Sequence, residues 1–205
     1  MTQAQNVNEY ISELKAKLLG NSECGMTHYN LAVALLGIQQ YDEAEDELMK
    51  ALDCSPTLAE AYVQLGGLCL QRGDLDECLR YNRLAVKSKP GFSIGYGNIG
   101  FIQLQKGEVE DAIRSLEKAI ALNSKFIQAY TTLGNAYLMN NQIDDAITVN
   151  KTALEIDPNF PIAHNNLAVA YLAKGDAVQA KNYCQKAIEL GYDVPEKLKR
   201  ELELA

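Results

Sequence analysis

At 205 residues the chain is long enough for one or two packed domains, and 47% of it is hydrophobic. Its 19 basic and 27 acidic residues leave a formal charge of -8. That balance excludes nucleic acid and anionic membrane surfaces as main partners, because both need a basic face.

The first segment, residues 1–24, opens MTQAQNVNEYISELKAKLL. It lacks the basic stretch and unbroken apolar run of a secretion signal, and nothing in the chain approaches the roughly 18–20 apolar residues of a membrane span. A soluble, cytoplasmic protein without membrane insertion is expected. Val7, Ile11, Leu14 and Leu18 form one apolar stripe, and Asn6 or Asn8 is available as N-cap, which predicts a helix near 7–19. Two readings of it stay open. It is a degenerate second helix covering the first of the 34-residue repeats that begin at residue 25, with Tyr10 and Leu14 at places 20 and 24 of that period, or an arm that docks in a groove of its own or a neighbouring copy.

Residues 25–194 hold five gapless copies of a 34-residue unit: 25–58, 59–92, 93–126, 127–160 and 161–194. With each copy numbered from its first residue, place 4 carries His28, Tyr62, Tyr96, Tyr130 and His164. Place 8 carries Ala32, Gly66, Gly100, Gly134 and Ala168, and place 20 carries Ala44, Cys78, Ala112, Ala146 and Ala180. A fixed period of this length marks stacked repeats, and so predicts one elongated domain. Each copy shows two segments with helical apolar spacing. In the fourth these are Tyr130, Leu133 and Tyr137, then Ile143, Ala146, Ile147 and Ala153. Neither helix can bury its face alone, so each pair must pack on the next. The small residues at places 8, 20 and 27 let the helices approach closely.

The punctuation agrees with helical pairs. Place 15 holds Gln39, Gly73, Gly107, Asn141 and Gly175, where Gly and Asn suit a left-handed residue that ends a helix. Asp42 with Glu45, Asp74 with Glu77, and Asp176 with Gln179 read as caps opening second helices; Thr57 with Glu60 reads as a capping box. Pro56, Pro90 and Pro158 stop the second helices. The end of the chain, residues 195–205, reads as a polar capping helix with Pro195 at its first position and Leu198 and Leu202 on one face. Twelve helices and no strands are expected.

The 34-residue pattern resembles the tetratricopeptide repeat (TPR), a helix–turn–helix unit. The resemblance covers residues 25–194, with Tyr or His replacing the family's usual Trp at place 4. It implies an all-α, right-handed TPR superhelix, an α-solenoid whose first helices line a concave groove. By the same resemblance, places 2, 5, 9 and 12 face that groove. Of those twenty side chains only Glu60 is charged, whereas 22% of the whole chain is. The implied binding residues are Tyr29, Val33, Val63, Gly67, Gly97, Phe101, Thr131, Asn135, Asn165 and Val169, with Phe101 as anchor and Gly67 and Gly97 as a flat floor. Place 6 carries Asn30, Gln64, Asn98, Thr132 and Asn166, a partial version of the asparagine ladder in the peptide-binding superhelix of O-linked N-acetylglucosamine transferases. Such amides donate and accept at once, which suits a peptide main chain; equally, they can bond within the array. The carboxylate clamp of co-chaperone TPR proteins is not matched, since no copy has Lys at place 5.

Catalytic patterns are lacking. Gly95, Gly97 and Gly100 spell GxGxxG, but inside a first helix rather than at a strand-to-helix turn. His28 and His164 stand at an aromatic packing place. Asn150-Lys151-Thr152 is a glycosylation sequon in mid-helix. The five cysteines, Cys24, Cys54, Cys69, Cys78 and Cys184, form no CxxC pair and read as thiols. No cofactor, metal or enzymatic activity is expected. The expectation is an adaptor that binds a peptide or helical segment of another protein, or else a self-assembling scaffold docking end to end or through the N-terminal helix.

Overall fold

The computed structural model describes residues 3–20 and 24–204, and among these there are twelve helices and no strand. The first is α1 (Gln3–Gly20). The first helices of the copies follow as α2 (Gly25–Gly37), α4 (Ala59–Gln71), α6 (Ser93–Gln105), α8 (Ile127–Met139) and α10 (Pro161–Lys174). The second helices are α3 (Tyr41–Cys54), α5 (Leu75–Ser88), α7 (Val109–Leu122), α9 (Ile143–Ile156) and α11 (Ala177–Glu189), and α12 is Glu196–Glu201. Both series restart every 34 residues, so the sequence period is the structural period. The fold is an all-α helical repeat solenoid.

The left-handed residues fall where the period put them. Gln39, Gly73, Gly107, Asn141 and Gly175 have φ of 63, 78, 78, 57 and 86°. Each reverses the chain between the two helices of a copy. Asp74 and Asp176 cap α5 and α11, accepting from the backbone N–H of Glu77 and Gln179 at 3.0 Å. Three expected caps are corrected. Asp42 lies inside the first turn of α3, whose N-cap is Gln40, because it stands two places later in its copy than Asp74 does. Thr57 precedes Leu58, the N-cap of α4, and neither gives a side-chain cap. Asn6 and Asn8 likewise fall within α1, not at its start. The second helices α3, α5 and α9 each end two residues before Pro56, Pro90 or Pro158.

The chain divides into two compact units, Met1–Gly95 and Tyr96–Ala205. In the first, α1 lies on α2. Ile11 and Leu14 are buried with Leu31, Leu35 and Ala44, and Val7 and Leu18 pack against that cluster. The apolar stripe of α1 is therefore spent inside the unit, and the helix caps the first copy. Tyr10 turns away, 43% exposed. Behind α1, Ala32, Leu48, Leu52, Ala61, Leu65 and Leu68 form the core shared by α2, α3 and α4.

In the second unit Leu104, Ala112, Leu116, Ala119, Ala129, Leu133 and Ala136 join α6, α7 and α8. Ala146 and Ile147 join Leu167 and Ala170 of α10. Leu198 and Leu202, on and just after α12, close this core over Ala180, Cys184 and Val194. Ala44, Ala112, Ala146 and Ala180 are all fully buried, as the close approach of paired helices requires. Place 8 meets place 24 at these crossings. A methyl on Gly100 would lie 2.5 Å from the Leu116 side chain, and one on Gly66 2.5 Å from the Asn82 amide.

Candidate first-helix binding faces

The two units carry their candidate residues separately. In the first, α2 and α4 present Tyr29, Asn30, Val63 and Gln64 half-buried and Val33 41% exposed. Gly67 is exposed, and nothing lies within 4 Å of the position its Cβ would take. A cavity of about 380 Å³ opens at the α1–α2 edge, walled by Val7, Tyr10, Tyr29, Asn30, Val33, Ala34 and Gly37. Glu60 is held by Lys89 at 2.8 Å. The hydrogen bond from Lys89 keeps its carboxyl below the ordinary range.

In the second unit the helices α6, α8 and α10 supply the face. Phe101 is 38% exposed and Val169 36%. Asn135 is exposed, and Asn98 and Asn165 are half-buried. Gly97 departs from the expected open floor. It is buried, and a Cβ there would come within 2.6 Å of the Phe126 ring. The absent side chain makes room for an aromatic ring of the protein itself. Phe126 and Phe101, with Gly97, Asn98, Gln128, Ala129 and Thr132, enclose a pocket of about 170 Å³. Phe126 was missed in the sequence because it stands at place 34, outside the first helix, where Leu58, Phe92 and Phe160 also stand.

Thr131 and Asn166 turn inward. Each is 3% exposed. The Thr131 hydroxyl donates to the carbonyls of Ile127 and Gln128 in its own helix. The Asn166 amide donates to the Thr131 carbonyl at 3.0 Å and to Asn150 Oδ1 at 3.2 Å, and Asn150 donates to the Ala146 carbonyl at 2.8 Å. This buried chain of amides ties α8, α9 and α10 together. For Asn166 the place-6 amide serves the array. Asn165 differs: its Oδ1 is buried with no hydrogen-bond donor in reach.

The other singled-out residues have structural work. His28 Nδ1 meets Glu47 Oε2 at 2.5 Å, and His164 Nε2 meets the Pro158 carbonyl at 2.9 Å while its ring packs against Tyr183. Each glycine of GxGxxG has a neighbour in its Cβ space: Val86 for Gly95, Phe126 for Gly97, Leu116 for Gly100. Asn150 of the sequon is 0% exposed and so is closed to a glycan in the folded chain. None of the five cysteines is in a disulfide. Burial pushes the Cys78 thiol up to about 11 and raises those of Cys69 and Cys184. At the N-cap of α2 the Cys24 thiol is lowered, chiefly by the Thr27 hydroxyl 3.0 Å from it. Among the described residues no helix is long and apolar enough to cross a membrane, and no three His, Cys, Asp or Glu side chains are grouped to hold a metal.

Models of two kinds match the chain: one described as TPR repeat, over residues 100–141 and 135–175, and others described as tetratricopeptide repeat, over 27–57, 58–80 and 162–190. No curated protein matches it in sequence. Among solved structures it is similar to MamA, with 26% identity and a TM-score of 0.70 over 90% of this chain and 98% of that one. YrrB, described as a TPR protein with an unusual peptide-binding site, aligns at 20% identity and a TM-score of 0.73 over 93% of this chain and 97% of its own. PilF of Pseudomonas aeruginosa aligns at 19% identity and a TM-score of 0.77, covering 90% and 86%.

Proposed function

This chain belongs to the tetratricopeptide repeat family, and we propose that it is a non-enzymatic cytoplasmic adaptor whose first-helix faces hold a peptide or helical segment of another protein. One observation carries the reading. Of thirteen large hydrophobics exposed among the described residues, seven stand at places 2, 9 or 12 of the copies: Met26, Val33, Leu70, Ile94, Phe101, Ile162 and Val169. Water does not favour such a concentration, and exposed apolar surface of this kind marks interaction sites. The same places are nearly free of charge, and Glu60, the exception, is neutralised by Lys89. YrrB lends this chain its fold and no residue, so the argument rests on this chain's own side chains.

The test begins with the partner captured from the native cell and purified. Phe101→Ala should weaken its binding by about 2 kcal/mol, because a half-exposed aromatic anchor loses its contact area without opening the core. Gly67→Leu should weaken binding through the first unit by filling open space. Equal affinity of both variants and the parent would move the site off these faces.

A second reading, self-assembly, draws on the α1–α2 cavity and on Leu19, which is 92% exposed. Light scattering across a range of concentrations separates the two: a mass that stays that of one chain leaves the adaptor alone.

A further inference from the structure

Resting on the adaptor reading, we propose that the edge formed by α1 and α2 seats one α-helix of a partner protein, held beside α2 in the position of one further first helix. The first ground is register. Carried back by one period, the 34-residue numbering puts Ile11 of α1 at place 21 and Leu14 at place 24. Both pack in one cluster with Leu31, at place 7 of the first copy. In the same way Ile147, at place 21 of the fourth copy, packs with Leu167, at place 7 of the fifth. So α1 lies on α2 as a second helix lies on the first helix that follows it.

The second ground is what stays uncovered. Places 20 and 27 of a second helix face the first helix of their own copy: a methyl on Gly100 would lie 3.1 Å from the Ala112 carbonyl, and one on Gly25 3.0 Å from the Ala51 carbonyl. Place 20 is at most 2% exposed in all five copies, yet Tyr10 at that place is 43% exposed. Place 27 is a fully buried alanine in all five, yet Lys17 is exposed. On α2, Ala34 at place 10 is half-buried. Leu68, Ala136 and Ala170, at the same place, are buried against the copy before them. Asn166 at place 6 reaches the Thr131 carbonyl of the preceding first helix at 3.0 Å, and Asn30 at that place lines the α1–α2 cavity of about 380 Å³. An end that only caps an array presents a polar outer face. This one presents Val7, Tyr10, Tyr29 and Val33.

The third ground is the chemistry of the edge, which selects the occupant. Glu13 stands at place 23. At that place Glu47 meets His28 Nδ1 at 2.5 Å, and the rings of Tyr81 and Tyr183 meet Tyr62 and His164, all partners at place 4. A side chain in the first turn of a seated helix therefore reaches Glu13, and an N–H donor or a positive charge suits it. Lys17, one turn along α1, stands beside the start of that helix, where an acidic first residue suits it. Residues 1–58 hold nine acidic and three basic residues, which disfavours a helix acidic throughout. Apolar residues three and four apart would cover Val7, Tyr29 and Val33, with a small residue where the helix crosses Tyr10. An extended segment alternates its side chains by two and cannot follow that spacing.

The probe is a hydrocarbon-stapled, acetylated and amidated peptide with the sequence of α10, which carries His164 at place 4 and Ala168 at place 8. The full chain should bind it. Stapling should raise affinity over the linear peptide, because so short a helix is marginal in water. A linear peptide carrying Ala168→Pro should lose binding. In the protein, Tyr10→Ala should lower affinity about tenfold. Gly37→Leu should do the same by filling the opening, since nothing lies within 4 Å of its Cβ position. Both positions are exposed, so circular dichroism of either variant should match the parent. Glu13→Gln should lower affinity roughly two- to fivefold, and should have no effect on a peptide carrying His164→Ala. Equal binding of the proline peptide, indifference to both Tyr10→Ala and Gly37→Leu, or no binding at all would overturn the proposal. The adaptor reading would survive each of these, because it is judged by the captured partner's response to Phe101→Ala and Gly67→Leu. Pairing of the chain with itself, seen by light scattering and abolished by Tyr10→Ala, would give the seat to a second copy and overturn the proposal too.

Discussion

Single residues in this chain are sorted by how much water they see. Cys78 is 2% exposed with a thiol pushed up to about 11, and Cys69 and Cys184 are buried and raised as well. Cys24 is half-buried, with a thiol lowered by hydrogen bonds from Thr27, and Cys54 is exposed. Thiolate is the reactive form. Brief treatment of the native protein with a maleimide should therefore label Cys24 and Cys54 and leave the other three untouched until denaturant is added. Rapid modification of Cys69 or Cys78, read by mass spectrometry of peptides, would contradict the packing described. The Glu47 carboxylate gives a pH dependence. Burial pushes its pKa up, but hydrogen bonds from Lys50 and His28 outweigh burial and hold it below the usual value. A lowered folded pKa contributes stability above the unfolded value, and that contribution is lost as pH falls through the folded one. The parent should thus be more stable than Glu47→Gln near neutral pH. The gap should close as pH drops below the ordinary Glu value of about 4. A gap that widened on acidification would reverse the sign assigned to this pair.

At the scale of helices, the close crossings are pairs of places, not single residues. Gly134 exists for Asn150: a methyl there would collide with the Asn150 amide, which is bonded to Ala146 and Asn166. Gly134→Ala should destabilise the parent, and should cost much less in an Asn150→Ala background. The coupling expected for directly touching groups is about 0.5–3 kcal/mol, measurable by a double-mutant cycle in urea. Strict additivity would mean that the two side chains do not meet. The same logic explains why place 8 tolerates Ala or Gly. Ala32 faces Leu48, Gly100 faces Leu116, and Gly66 faces Asn82, so each element is tuned to its own neighbour. Periodicity announces that a small residue is needed, and says nothing of which partner fills the space.

For the whole molecule, charge is segregated by helix type. The formal charge of -8 is carried mainly by second helices and termini, while the first helices are almost neutral. Association through those neutral faces should respond weakly to salt. The dissociation constant of the captured partner should change little between about 0.05 and 0.5 M salt, although screening will slow or speed encounter. A steep loss of affinity with salt would relocate binding to the charged second helices.

The amino-acid sequence by itself determined the helices, their pairing and the chain reversals. These depend on local patterns: apolar spacing along one helix, a left-handed residue at place 15, a proline after three of the second helices. The structure reproduces them at the same 34-residue interval. Tertiary packing decided the rest, because the occupant of a space is chosen jointly by residues distant in the chain. Phe126 fills the gap at Gly97; Asn166 turns to Thr131 and Asn150, away from the solvent side; α1 uses its stripe on α2. Asn165 and Asn166 are adjacent identical residues in one helix, and the one-residue step of about 100° sends one amide into the core and leaves the other beneath the open face. Only the neighbours on each side distinguish an amide that bonds to two other helices from one whose oxygen is shielded without a donor.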